Sequence, residues 1–167
     1  MADREPLVPG AEPSERMPIL VGSAWAIGLD VPAELIVGGG TDDGAQGILA
    51  TVDPTLAGRI RPCDFLVGGD DFGRGARAEE AVRALRRAGI AAIVAHSFDA
   101  GFQEAADRAG LPAVQVNEAL VVHTGARLRV DVEGGRVVNM SSGDRFPIRN
   151  LGEARLERLR RAADARG

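Results

Sequence analysis

The stretch from Gly68 to Ala95 constrains the fold more than any other part of the chain. The short run Asp64-Phe65-Leu66-Val67 ends in Gly68-Gly69, as a strand does on entering a turn. After Gly75, the apolar residues Ala78, Val82, Leu85 and Ala88 recur at three- and four-residue spacing. That spacing predicts a helix with one buried stripe. Gly89 is placed to stop it. Ile90 to Ala95 then has the length and bulk of a buried parallel strand. The sum is strand, glycine loop, helix, strand, and such a unit crosses over right-handed. Where the loop meets the helix, free backbone N–H groups sit at the positive end of the helix dipole. An anionic group of a substrate fits there.

Length predicts one domain with a core large enough to be stable alone, at 167 residues. The net charge of −4 gives no general nucleic-acid footprint, and no membrane contact is expected. All 20 basic residues are Arg, which fits codon bias in a GC-rich genome. One cysteine, Cys63, rules out an internal disulfide and cannot alone anchor an iron–sulfur cluster. It stands just before a buried strand and reads as a packing residue. Two histidines, His96 and His123, are too few for a His-built metal site, so no metal is expected in this chain. No apolar run reaches transmembrane length, and the polar, acidic start lacks a signal-peptide pattern. A cytoplasmic location is the default expectation.

Residues 1–16 read as a disordered arm, and residues 17–167 as a single domain. Ile19 to Ile27 is a first strand region, broken by Gly22-Ser23, with Trp25 as a core residue. Leu35-Ile36-Val37 is a second short strand. Gly38 to Gly47 is a glycine-rich loop, either a plain surface loop or a mobile substrate loop. Asp53-Pro54 starts a short helix. Beyond the central unit, Phe102, Ala105, Ala106 and Ala109 mark a helix stopped by Gly110, followed by the strand Ala113 to Val116. Asn117 to Val122 is ambiguous between helix and turn. Arg127 to Val132 alternates like a half-exposed strand, Glu133 to Arg136 is a hairpin turn, and Val137 to Met140 returns. Phe146-Pro147-Ile148 is an edge segment. Leu151 to Ala163 is an amphipathic helix whose arginines read as a solvated face.

Three nucleotide- or hydrolase-type readings of the glycine loop fail. Gly-Arg-Gly-Ala-Arg-Ala lacks the third glycine of a dinucleotide fingerprint, and the strand after it leads to His96 rather than an acidic residue. There is no Walker lysine and no Gly-x-Ser-x-Gly elbow. What remains is a helix start carrying Arg74 and Arg77. Either the two hold a carboxylate by charge-assisted bonds of about 1.5–3 kcal/mol each, or they are solvent-facing helix-start residues.

Gly69-Asp70-Asp71-Phe72-Gly73-Arg74-Gly75-Ala76-Arg77-Ala78-Glu79-Glu80-Ala81 resembles the Gly-x-x-Phe-Gly-x-Gly-Ser-Ser-Arg-Glu-His-Ala signature of the aconitase superfamily's swivelling domain. It is similar above all to the small subunits of 3-isopropylmalate dehydratase. Ala24 to Gly28, Ile93 to Phe98, Ala109 to Ala113 and the Gly134-Gly135 hairpin extend the resemblance over roughly Leu20 to Leu159. It implies an α/β fold: a swivelling β/β/α domain, a mixed sheet with flanking helices around a barrel-like core.

The resemblance also implies a hydro-lyase or isomerase subunit acting on a hydroxy-di- or tricarboxylate. Its partner would be an aconitase-like large subunit holding a 4Fe-4S cluster, so this chain would carry no cofactor of its own. Gly73, Arg74, Gly75, Ala76 and Arg77 would bind the small carboxylate substrate. The departures fall on the chemistry. Where the family has Ser-Ser-Arg this chain has Ala76, Arg77 and Ala78. Ala76 has no group that accepts a proton. Arg77 lies one position early, about 100° round a helix. Asp70, Asp71, Arg74, Arg77 and His96 are the candidate substitutes, with Asp71, Arg77 and His96 foremost as catalytic groups. Two alternatives follow from those losses: a stand-alone swivel domain recruited to a metal-free reaction, and a non-catalytic pseudo-enzyme subunit.

Overall fold

The computed structural model describes residues 18–27, 32, 33, 36, 59–117 and 121–166. The arm at 1–16, the glycine-rich loop at 38–47 and the short helix from Asp53 lie outside the described residues.

In chain order the elements are β1 (Leu20–Ala26), β2 (Phe65–Gly68), α1 (Ala78–Arg87), β3 (Ala92–Ala95) and α2 (Ala100–Ala109). Then come β4 (Ala113–Gln115), β5 (Arg127–Asp131), β6 (Arg136–Asn139), β7 (Arg145–Pro147) and α3 (Glu153–Arg166). The strands form one curled, mixed sheet in the order β4-β3-β2-β1-β5-β6-β7. β1 to β4 pair parallel, and β5 to β7 continue antiparallel from the other side of β1.

The two halves differ in sequence because they differ in burial. β2 and β3 are buried at every position, as central parallel strands covered on both faces must be. β5 alternates, with Leu128 and Val130 buried and Arg127 and Arg129 exposed. One core cluster joins Leu66, Ile93, Val82, Leu85 and Phe102 under α1 and α2. The other joins Phe65, Val94, Leu128, Val137 and Phe146 with Leu159 of α3. Burying a side chain such as Leu85 or Val82 stabilises by about 1.5–3 kcal/mol.

α1 buries Ala78, Ala81, Val82, Ala84 and Leu85, and its end residues complement the helix dipole. α2 is capped at both ends. Asp99 Oδ2 accepts from the Gly101 and Phe102 N–H groups at 3.0 and 3.4 Å, and Gly110 closes it at φ 76°.

Several expectations need correction. β1 runs unbroken through Gly22 and Ser23. Glycine is needed there for close approach, since a Cβ on Gly22 would lie 1.8 Å from the Cys63 carbonyl oxygen. Ile36 is helical and not strand, its N–H reaching the Pro32 carbonyl at 3.4 Å. Pro32, with its fixed φ, suits the first turn of a helix. Cys63 is not a packing residue. It is exposed, with φ 77°, in the turn that leads into β2. Trp25 does pack against the core, from a half-buried position. Its Nε1 donates to buried Asp64 Oδ2 at 2.8 Å, and the Arg59 guanidinium lies 5.0 Å above the ring.

The arginines of α3 are not simply a solvated face. Arg155 forks onto buried Asp107 of α2 at 2.7 and 2.9 Å and also reaches the carbonyls of Asn150 and Ala113. Arg160 forks onto Glu133 at 2.6 and 2.8 Å. Among the described residues no helix is long and apolar enough to cross a membrane.

Candidate functional site

The parallel strands β1, β2 and β3 all end at one edge of the sheet, at Ala26, Gly68 and Ala95. Open α/β sheets bind ligands outside such carboxyl ends. The loop from Gly69 to Arg77 occupies this edge and is laced to the segment that follows β3. The Gly69 carbonyl accepts from the N–H groups of His96 and Ser97 at 3.1 and 3.3 Å. Phe72 donates its N–H to the Ser97 carbonyl at 3.0 Å and accepts from the Asp99 N–H at 3.1 Å.

An aromatic trio holds the loop from beneath. Phe72 and Phe102 are fully buried and meet edge-on at 5.4 Å, and Phe98 stacks on Phe102 at 6.2 Å. Aromatic pairs of this kind add about 0.5–1.5 kcal/mol each beyond their burial. Gly73 has φ 82°, and a Cβ there would meet the Phe102 ring at 2.3 Å. Only glycine lets the chain turn here while lying flat on the ring. Gly75, at φ 119°, completes the turn into α1.

Arg77 occupies the cap position of α1 and offers no side-chain acceptor to it. The side chain instead forks onto Glu80 one turn later, at 2.8 and 3.0 Å. The Arg77 guanidinium beside Glu80 holds that carboxyl below the usual range. Arg77 is thus engaged along its own helix. Arg74 is half-buried, and its carbonyl accepts the Ala33 N–H at 2.8 Å, tying the loop to the segment after β1. Ala76 is exposed at the outer turn of the loop.

Asp71 is exposed in a left-handed conformation, φ 50°, and its N–H donates to Ser97 Oγ at 2.8 Å. Asp tolerates that backbone region better than most residues. Asp70 and His96 meet directly, Oδ1 to Nδ1, at 2.5 Å. With Nδ1 engaged, Nε2 is the ring nitrogen left to face a substrate.

Of the residues proposed from sequence, Asp70 and His96 are brought together, Arg74 lies within the loop, and Arg77 turns to Glu80. Ser97 went unrecognised, although its hydroxyl and carbonyl both hold the loop. The available signal was register. Gly68 pairs with Ala95, so residues just beyond each strand must lie side by side.

A family model described as the aconitase C-terminal domain matches residues 54–119. The small subunit 2 of 3-isopropylmalate dehydratase from Archaeoglobus fulgidus is 33% identical over 147 residues, spanning 84% of this chain and 88% of that one. This chain belongs to the family of 3-isopropylmalate dehydratase small subunits. The isopropylmalate/citramalate isomerase small subunit of Methanocaldococcus jannaschii is 31% identical over 150 residues, with 84% of this chain and 88% of the relative covered. A crystal structure of 3-isopropylmalate dehydratase from the same organism superposes with a TM-score of 0.74 at 24% identity, covering 89% of this chain and 98% of that one. The superposition shows the shared fold, the mixed curled sheet with flanking helices of the swivelling domain.

The residues of this small-subunit-family chain do not fit an iron–sulfur cluster. Its one thiol, Cys63, lies at the entry to β2, at the opposite end of that strand from the loop. Among the described residues no three His, Cys, Asp or Glu side chains converge as a metal site.

Proposed function

We propose that this chain is the small subunit of an aconitase-family dehydratase or isomerase acting on a hydroxy-dicarboxylate of the isopropylmalate type, paired with an iron–sulfur large subunit. The names of its relatives support the substrate class. One observation carries the reading. The glycine crossover is kept, with Gly73 and Gly75 at positive φ delivering the loop to the start of α1.

In that reaction a proton leaves the carbon beside a carboxylate and its electron pair forms a double bond. The hydroxyl on the neighbouring carbon departs as water. Adding water back in the opposite sense isomerises the acid. The α1 N-terminus and the loop from Gly73 to Ala76 seat a substrate carboxylate, with Arg74 supplying charge. Arg77 holds the junction through Glu80. Ala76 stands where the resemblance places the family's proton acceptor. His96 takes that role through Nε2, with Asp70 fixing its orientation. Asp71 serves the loop's shape through its backbone. A cluster, where present, belongs to the partner.

The test is co-expression with an aconitase-like large chain from the same genome, anaerobic purification, and ultraviolet assay of unsaturated and hydroxylated diacids. Turnover by the pair and not by either chain alone is expected. A pair that neither hydrates nor dehydrates any such acid removes the reading. Because Ala76 lacks a proton acceptor, a second reading stays in view: a swivel domain working alone in a metal-free reaction. Iron-independent turnover by the isolated chain would establish it.

A further inference from the structure

The contact between Asp70 and His96 is made by two side chains that both reach water. The His96 side chain is 39% exposed and that of Asp70 67%. Exposed charge pairs hold their own geometry weakly, since water competes for both partners. The alignment of Asp70 Oδ1 on His96 Nδ1 therefore has to come from the backbone on either side.

On the His96 side that backbone is tied down just beyond β3. His96 and Ser97 both donate their N–H groups to the Gly69 carbonyl, at 3.1 and 3.3 Å. On the other side, the residue after Asp70 is Asp71, at φ 50°. A non-glycine residue keeps that conformation where its surroundings impose it. Ser97 Oγ meets it there, accepting the Asp71 N–H at 2.8 Å. That N–H belongs to the peptide that joins Asp70 to Asp71. The plane of this peptide sets where the Asp70 Cα stands, and with it the carboxylate. Ser97 is thus covalently next to His96 and hydrogen-bonded to the peptide that carries Asp70.

We propose that Ser97 is a positioning residue: its hydroxyl holds the Asp70–Asp71 peptide so that the Asp70 carboxylate meets His96 Nδ1. An ionised carboxylate accepts and cannot donate, so Nδ1 carries the hydrogen and Nε2 keeps its lone pair. That is the tautomer a proton acceptor at Nε2 requires. Ser97 acts on the proton through Asp70 and His96, without touching substrate. A merely stabilising hydroxyl accounts poorly for this placement. Asp71 is exposed, so water can take its N–H once the hydroxyl is gone, and little stability is lost. The aromatic trio and the backbone bonds of Ser97 still hold the loop. What the hydroxyl adds is direction.

The catalytic meaning of Ser97 rests on the proposed role of His96 at Nε2, and the experiment separates the two. Wild-type chain, Ser97→Ala, Ser97→Thr and Asp70→Asn are labelled with ¹⁵N at histidine, with His96→Gln identifying the His96 signals. Melting curves verify that each is folded. In mildly alkaline buffer, where imidazole is neutral, wild type is expected to show the Nδ1–H form. Ser97→Ala is expected to move toward a mixture with the Nε2–H form, as Asp70→Asn does, and Ser97→Thr to keep the wild-type pattern. In the reconstituted pair, Ser97→Ala is expected to lower kcat about tenfold with KM nearly unchanged, and Ser97→Thr to restore it. Added to Asp70→Asn, it should lower kcat no further. An unchanged tautomer in folded Ser97→Ala overturns the positioning role, whatever the pair does. Independent, multiplying losses in the double variant overturn the route through Asp70. A shifted tautomer with unchanged turnover overturns the role of His96 and leaves the geometry set by Ser97 standing.

Discussion

The two halves of this sheet share one strand, β1, and solve opposite problems. The parallel half buries both its faces and spends its polar chemistry at one edge, where β2 and β3 end. The antiparallel half buries one face and leaves the other to water, arginine-rich and ungathered by any ion pair among the described residues. The first can hold a loop in strained backbone conformations because a packed aromatic trio lies beneath it. The second has no such support and presents surface instead. Precise loop geometry and open polar surface thus come from different halves of one domain.

The largest expected effect joins the halves through α3. Arg155→Ala leaves buried Asp107 without its bidentate partner and is expected to lower stability by about 3–5 kcal/mol in urea titration. A loss below about 1 kcal/mol would mean that α3 is not clamped by this pair. Next come two glycines at positive φ, one in each half. Gly73→Ala meets both the backbone penalty and the Phe102 ring, and a loss of about 3 kcal/mol is expected. Gly135→Ala, at φ 74° with open space around it, is expected to lose about 1 kcal/mol. Equal losses would erase the distinction between a supported loop and a free turn.

At the edge itself, His96→Gln should lower kcat of the reconstituted pair by about 10²–10³-fold while the melting temperature holds. Asp70→Asn should lower it less and shift the ¹⁵N signals that report the His96 tautomer. Unchanged turnover in His96→Gln would return the proton acceptor to the partner. The smallest effect is at the exposed Arg77–Glu80 pair. Its folded carboxyl lies below the ordinary glutamate range, so its contribution is present above that range and is lost as pH falls through the folded value. In Arg77→Ala, NMR titration should find the Glu80 midpoint moved back upward. An unmoved midpoint would break the pairing.

Much of this was legible in residue order. The spacing of Ala78, Val82 and Leu85 marked α1, the unbroken apolar runs marked β2 and β3, and Gly134-Gly135 marked the hairpin, because each depends on local periodicity or turn chemistry. The glycine crossover carried the family. Other features were not local. Gly22 looked like a strand break because the Cys63 carbonyl that demands it comes from across the sheet. The arginines of α3 looked solvated because Asp107 and Glu133 arrive from distant elements. The fork of Arg77 onto Glu80 depends on the rotamers set at the start of α1, which residue order alone does not give.

The stretch from Gly68 to Ala95 shows the division most plainly. Its elements and its glycines follow from short-range steric and hydrophobic rules that any segment obeys alone. Which side chains face one another at its edge, Asp70 with His96 and Asp71 with Ser97, was decided only when β2 and β3 aligned in register. Register is a property of paired strands, held by long-range packing, and no single segment contains it.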